Sequence, residues 1–353
     1  MNRREFMGAS AGVLMASQLF AAGAANATAK IPCGILGLGH AHATDIVKTI
    51  QNSPDFDLVG IAEPDGARRK TYGAQALFRD VRWLSQDELL GNPDIRMVAV
   101  ESDVPRLLEL GHAVVDTGKN LHLDKPAGTD LSEFRVLLDT AKRNKVLVQM
   151  GYMYRYNPGF DFIRTMKAEG TLGDVFTIHA TMCTDLPQHI RDRIAFHKGG
   201  AMLELGCHLI DMIVLLLGEP KKVTSFLRHD TGVDDDLNDN ILAVLEYDRA
   251  MVTVDISTRE PNAFAGRRFK TTGTDGAITL CPLEPPAAQL SLRKAHGEHP
   301  KGVSDIKFMD KPRHVADFAD LAAAIRGERD FAYSYEHDYA VQRTILKACG
   351  VEV

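Results

Sequence analysis

The chain reads as an α/β protein: an N-terminal doubly wound parallel sheet, then an α+β domain with a large, mainly antiparallel open sheet. Three observations predict this. From Lys30 to about Met150 short apolar runs alternate with amphipathic helical ones, as a parallel sheet covered on both faces requires. A Gly37-Leu38-Gly39 turn joins the first of these runs to the first helix. After Gly151 the texture changes to strand-like alternation broken by hairpin turns. The boundaries follow as 30–151 for the first domain and 152–353 for the second, each long enough for its own core.

Ahead of both lies a different kind of segment. Met1 to Ala27 carries Arg3 and Arg4, an apolar run from Gly8 to Ala25, and Ala25-Asn26-Ala27 as a small-residue cleavage site. The twin arginines predict a Tat signal that exports a folded protein to the periplasm or another extracytoplasmic space, so this segment is set apart from the fold. In the first domain Ile31 to Leu36, Phe56 to Ala62, Met97 to Glu101, Lys119 to Leu123 and Lys145 to Met150 read as strands. Ala43 to Asn52, Pro105 to Thr117 and Leu131 to Asn144 read as helices between them. The second domain opens with a helix near Phe160 to Glu169, a strand from Val175 to Thr184 and a helix from Ala201 to Leu217. Val223 to His229, Ile241 to Tyr247, Met251 to Thr258, Arg268 to Gly273, Ala277 to Leu280 and Gln289 to Arg293 then read as strands of one antiparallel sheet. Helices at about His314 to Arg326 and His337 to Ala348 close the chain and are expected to return to the first domain.

Composition narrows the function. Net charge is −6 with both signs interspersed, which argues against nucleic acid as a partner. Beyond the signal, the most apolar stretch, Leu209 to Gly218, is short and interrupted by Asp211, so no stable membrane insertion is expected once the signal is removed. Cys33, Cys183, Cys207, Cys281 and Cys349 show no CxxC spacing and read as isolated small hydrophobes. Asp234-Asp235-Asp236 with Asp239 lacks the Gly and terminal Glu of a calcium loop and reads as a solvated turn. His179, His189, His197 and His337 have no metal-ligand spacing among them, and no metal is expected.

Three constellations carry chemistry. In the first, Gly37 allows the tight turn, Gly39 lets backbone approach a pyrophosphate over the helix N-terminus, and Glu63 ends the next strand, where it would accept from ribose hydroxyls. His40 and His42 belong to the same loop, His42 replacing a third glycine. Glu63 would repel a 2′-phosphate and so favours NAD; Arg68 and Arg69 close behind leave NADP open. The second is Asp124-Lys125-Pro126, just after a strand, where Lys125 points toward the ligand crevice of an open α/β sheet. The third is Glu204, His208 and Asp211, which a helix brings onto one face, on a segment otherwise apolar almost all round and therefore buried. Buried ionisable groups are paired or line a cavity. An irregular polar segment with His189, Arg191, Arg193 and His197 precedes that helix as a candidate sugar-binding loop.

In order, these motifs resemble the Gfo/Idh/MocA family of nicotinamide-dependent sugar and cyclitol oxidoreductases over nearly the whole chain beyond the signal. Asp124-Lys125-Pro126 stands for the family's Glu-Lys-Pro, Tyr154-Arg155-Tyr156-Asn157-Pro158 is similar to its Arg-Phe-Asn-Pro stretch, and Gly200 to Asp211 resembles its Gly-Gly-x-x-x-Asp-x-Gly-x-His-x-x-Asp helix. Two departures stand out. Glu204 occupies an Asp position, and Ser102-Asp103-Val104 replaces Thr-Pro-Asn beside the cofactor. The resemblance implies Lys125 and His208 as the catalytic pair, with Glu204 orienting His208 or gripping a neighbouring hydroxyl. Tyr154, Arg155, Asn157 and His189 are the substrate-binding candidates; Gly37, Gly39, His40, His42, Glu63, Asp124, Lys125 and Pro126 are the cofactor-binding ones. It further implies a small sugar or polyol substrate and a homo-oligomer, dimer or tetramer. The twin-arginine signal is similar to that of the family's exported glucose-fructose oxidoreductases, which hold their nucleotide tightly. The same residues would also serve a glycoside hydrolase or lyase working by transient sugar oxidation, or a noncatalytic dinucleotide-binding protein.

Overall fold

Two sheets organise the chain, and the loops between strand ends and helix starts supply the site. The computed structural model describes residues 29–309 and 311–353; the twin-arginine segment lies outside them. The first sheet has strands β1 (Ile31–Leu36), β2 (Phe56–Ala62), β3 (Trp83–Leu84), β4 (Met97–Val100), β5 (Asn120–Leu123) and β6 (Val148–Met150). All its pairings are parallel, in the order β3-β2-β1-β4-β5-β6. The order reverses between β1 and β4, so a crevice opens at their carboxyl ends.

Helices α1 (Ala43–Asn52), α2 (Gly66–Gly73), α3 (Gln86–Gly91), α4 (Val104–Asp116) and α5 (Leu131–Asn144) connect these strands. α1 and α5 form where apolar residues recur at helical spacing, burying Ile46, Val47 and Ile50 in one and Phe134, Leu137 and Leu138 in the other. α2 buries none of its residues and rests on its cap, the Asp65 carboxylate accepting from the N–H of Ala67 and Arg68.

The second sheet contains β7 (Val175–Thr181), β8 (Lys222–Arg228), β9 (Asn240–Glu246), β10 (Met251–Ser257), β11 (Arg268–Gly273), β12 (Gly276–Leu280), β13 (Ala287–Leu292) and β14 (Gly302–Lys307), in the order β14-β13-β12-β11-β7-β10-β9-β8. It is not wholly antiparallel: β7 runs parallel to β10 at its centre, because the chain leaves β7 through helices and re-enters the sheet at β8, three strands away. β14 leaves no strand signal in the sequence, since only alternate residues along it are half-buried and none is fully so. Helices α6 (Pro158–Ala168), α7 (Gln188–Ile194) and α8 (Cys207–Leu217) lie between β7's neighbours in sequence, and α9 (Val315–Ile325) and α10 (Tyr335–Ala348) close the chain. The polar segment expected to be irregular is thus the helix α7.

Ile31–Val353 form one unit. One hydrophobic core runs continuously from α4 and α5 through Tyr152, Met153 and Tyr154 to the inner face of the second sheet, so the two sheets do not keep separate cores. A second cluster covers the other face of the parallel sheet, where Phe318 of α9 meets Phe56 at 5.6 Å between ring centroids. α9 therefore returns to the first sheet as expected, while α10 packs between α8 and α5.

Candidate active site

The β1–α1 turn is shaped for close approach. Gly37 has φ +84°, in the left-handed region, and a Cβ on Gly39 would lie 2.8 Å from the backbone nitrogen of Asp103 on the loop after β4. Glu63, at the end of β2, accepts from the Leu38 N–H at 2.6 Å and the Asp65 N–H at 2.8 Å. Arg68 reaches across the crevice to the Asp103 carboxylate at 2.7 Å and stands 3.6 Å from Glu63. A cavity of about 140 Å³ between the turn and the second domain is lined by Gly39, His40, Asp103, Arg193, Phe196 and Glu204. Turn, acidic strand end, helix N-terminus and switch point together fit a dinucleotide, which Gly37, Gly39 and Glu63 would hold.

Lys125 follows β5 and is 4% exposed. Its ammonium donates to the Glu204 carbonyl at 2.8 Å and to the Glu204 carboxylate at 3.4 Å. That carbonyl is reachable because residues Met202–Gly206 form a π-helical turn before α8. The wider turn leaves the backbone ladder of an α-helix, a device common at functional sites. It also breaks the expected one-face arrangement: Glu204 pairs with Lys125 and makes no hydrogen bond to His208, so it does not orient that imidazole. Burial would lower the Lys125 ammonium, but Glu204 and Asp124 hold it above the usual lysine value.

His208 is 2% exposed, its Nδ1 without a hydrogen-bond partner, and its ring lies 5.4 Å from Tyr154, 6.2 Å from Tyr152 and 6.1 Å from His42. Burial first, then the charge of Lys125, holds it well below the usual histidine value, so it is a neutral imidazole at pH 7. His40 and His42 both turn onto Asp124 at the end of β5, the His40 contact being the shortest; His42 Nδ1 lies 3.2 Å from one carboxylate oxygen and 3.1 Å from the other. Burial would raise the Asp124 carboxyl, yet the two imidazoles hold it well below the carboxylate range. Burial brings His42 down to about 4. Pro126 follows Lys125 through a cis peptide bond.

Three further groups here carry no motif in the sequence. Glu101, fully buried after β4, is raised well above the usual carboxyl value by burial and by Asp124. His122 Nε2 approaches it at 3.8 Å. His314, before α9, has its ring 5.3 Å from His42 and its Nδ1 3.4 Å from Asp317. No motif surrounds His314, and only the return of α9 to the first sheet brings it in.

A cavity of about 410 Å³ opens beside this cluster, lined by Tyr154, Asn157, Glu284, Arg313, His314 and Asp317 among others. Tyr154 and Asn157 thus border an open space; Asn157 also caps α6, accepting from the Gly159 N–H at 2.8 Å. Arg155 does not. It is 2% exposed, clamped by Asp211 and Asp338 at 2.6 Å each, because the turn Met153–Tyr156 points it between α8 and α10. His189 lies exposed on α7, away from this cavity; the neighbour turned inward is Arg191, paired with Asp235 at 2.6 Å and with Asp239 at 3.4 Å. The acidic run 234–239 is therefore partly buried ion pairing and not a wholly solvated turn.

Residues 31–152 match the family described as oxidoreductase family, NAD-binding Rossmann fold, and residues 160–279 match the GFO/IDH/MocA C-terminal domain. Trans-1,2-dihydrobenzene-1,2-diol dehydrogenase of Xenopus laevis is 27% identical over 250 residues, 67% of this chain and 72% of that protein. The enzyme of the same name from Homo sapiens is 25% identical over 276 residues, 75% and 78%. Among solved structures, UDP-N-acetylglucosamine 3-dehydrogenase GnnA from Acidithiobacillus ferrooxidans superposes with a TM-score of 0.74 at 18% identity, covering 91% of this chain and 97% of that one. GenD2 from gentamicin A biosynthesis, in complex with NAD, gives 0.73 at 20% identity, covering 91% and 93%. With the two family matches spanning more than half of it, the chain belongs to the GFO/IDH/MocA family and is an NAD(P)-dependent oxidoreductase.

Proposed function

We propose that the protein interconverts a secondary alcohol and a ketone on a small sugar, cyclitol or glycoside, with NAD held tightly as its cofactor. One observation carries this: buried Lys125, held charged by Glu204, and buried His208, held neutral first by its burial and then by the lysine's charge, stand together at the junction of the two sheets. Oxidising a carbinol needs a base for the hydroxyl proton and a positive group for the charge that develops on oxygen. His208 takes the proton. Lys125 donates to the oxygen, and Glu204 keeps its ammonium in place and charged. Gly37, Gly39 and Glu63 hold the nucleotide, whose nicotinamide, when bound, supplies the hydride acceptor. Tyr154 and Asn157, on a cavity of about 410 Å³, are the groups to read a polyol.

The experiment is a screen of sugars and polyols that follows nicotinamide absorbance together with product mass. Net reduced cofactor with a keto product supports the proposal. Release of an aglycone without net reduction replaces it with redox-neutral glycoside cleavage. Export of the folded holoenzyme by the twin arginines belongs to the same proposal. Periplasmic protein should then release nicotinamide nucleotide on denaturation, near one per chain, and Arg3→Lys with Arg4→Lys should keep it in the cytoplasm. The exposed Phe226, Leu242 and Met251 on the outer face of the second sheet support self-association through that face.

A further inference from the structure

We propose that His40, His42 and Asp124 form a binding site for a divalent transition-metal ion, with zinc as its archetype, set against the centre that holds Lys125 and His208. Their donor atoms, one from each residue, all lie within 4.8 Å of one another. Two imidazole nitrogens and one carboxylate oxygen are a donor set that suits zinc or iron(II) and leaves coordination positions open. With bonds of about 2.1 Å, donors of a tetrahedral zinc site stand roughly 3.4 Å apart. The 3.1 Å between His42 Nδ1 and Asp124 Oδ2 is already close to that spacing.

A second observation is independent of the spacing. Asp124 is 1% exposed, and its Oδ2 accepts no hydrogen bond of proper geometry although both imidazole Nδ1 atoms touch it. Its other oxygen, Oδ1, is the one that is satisfied, by the Lys125 N–H at 2.7 Å and by His42. A buried carboxylate oxygen that lacks a proper hydrogen bond and faces two imidazole nitrogens is an arrangement that a cation shared by the three groups satisfies. The Lys125 N–H on Oδ1 is the kind of outer contact that orients a ligating carboxylate. His42 also carries the site toward the catalytic centre, its ring 6.1 Å from His208 and 5.3 Å from His314. Resting on the proposed alcohol chemistry, the ion's open position is where a substrate hydroxyl or carbonyl oxygen would bind as a further ligand.

The test uses the full chain with its nucleotide and zinc alone as the probe. Metal content is measured on the purified protein; a chelator-stripped sample is then titrated with Zn²⁺ by calorimetry, and with Co²⁺ to read ligand-field absorption. One ion per chain is expected, with a tetrahedral or five-coordinate Co²⁺ spectrum. His42→Ala and Asp124→Asn should each weaken binding by more than the roughly 10–100-fold typical of an outer-shell partner, while Glu204→Gln binds as the parent does. Should His42→Ala fail to fold by circular dichroism, His42→Gln and His40→Gln stand in for it. Folded, nucleotide-bound protein that takes up no Zn²⁺ overturns the proposal, as does unchanged affinity in the His and Asp variants. Nucleotide content and turnover are read on the same samples, so loss of the alcohol chemistry with metal binding intact, or the reverse, separates the two proposals.

Discussion

Replacing Arg155 with methionine should destabilise the protein and leave its chemistry largely intact. Arg155 donates through Nε to both Asp211 oxygens at 3.1 Å and through one terminal nitrogen to Asp211 and Asp338 at 2.6 Å. All three side chains are at most 1% exposed, and the guanidinium lies 4.2 Å from the centre of the Tyr333 ring. Methionine preserves much of the volume but strands two carboxylates away from water. Breaking a buried pair from one side costs about 3–5 kcal/mol. With an unfolding entropy near 2.1 cal/mol/K per residue, a chain of this length should lose roughly 4–7 °C in melting temperature.

The pH dependence sharpens the test. In the parent, burial raises and Arg155 lowers the Asp211 carboxyl, with a net depression, so its contribution is present at neutral pH and lost as pH falls below the usual carboxylate range. In the variant Asp211 keeps only His337, 3.4 Å away, and Asp338, which burial raises even in the parent, loses Arg155; burial then raises both, and the folded state binds protons that the unfolded state does not. Its stability therefore falls as pH rises from about 4 to 7. The gap between parent and variant is smallest in acid and widest near neutrality. Calorimetry across that range checks this. A shift below about 1 °C at pH 7 would refute the buried-clamp reasoning, as would a pH-independent gap. An unchanged melting curve with lost substrate affinity would return Arg155 to the substrate-binding role that its motif suggests.

Lys125→Ala and His208→Ala should each lower turnover by about 10² to 10⁴ while nucleotide stays bound, measured by steady-state kinetics beside nucleotide content after denaturation. Glu63→Ser should weaken discrimination against NADP, since it removes the carboxylate proposed to meet the ribose while Arg68 remains 2.7 Å from Asp103 across the same crevice; the ratio of kcat/KM for the two cofactors reports it. Hydrogen bonding to Arg191 holds Asp235 down to about 2, so the segment it ties to α7 should keep its protection at pH 5 and lose it as pH falls from about 4 toward 2. Hydrogen exchange of residues 229–239 is the measurement, and constant protection through that window would contradict the pairing.

Local periodicity alone determined much of the scaffold. β1, α1, β2, α5 and β11 lie where their apolar spacing puts them, because each buries a face whose pattern is written in consecutive residues. The glycine turn, the acidic end of β2 and the lysine after β5 were legible for the same reason: each is a strand end followed by a loop, and strand ends of a doubly wound sheet converge on one crevice. Tertiary structure decided the rest. A two-residue β3 and an α2 without a buried face leave no pattern to read. In the π-helical turn at Met202–Gly206 the Glu204 carbonyl and carboxylate meet Lys125, which comes from the loop after β5, and not His208 on its own segment. Arg155 and Asp338 are 183 residues apart, and His314 reaches His42 only through the return of α9. Apolar spacing says which face of an element is buried; the partner a buried charge finds there depends on chain topology, which no local window contains.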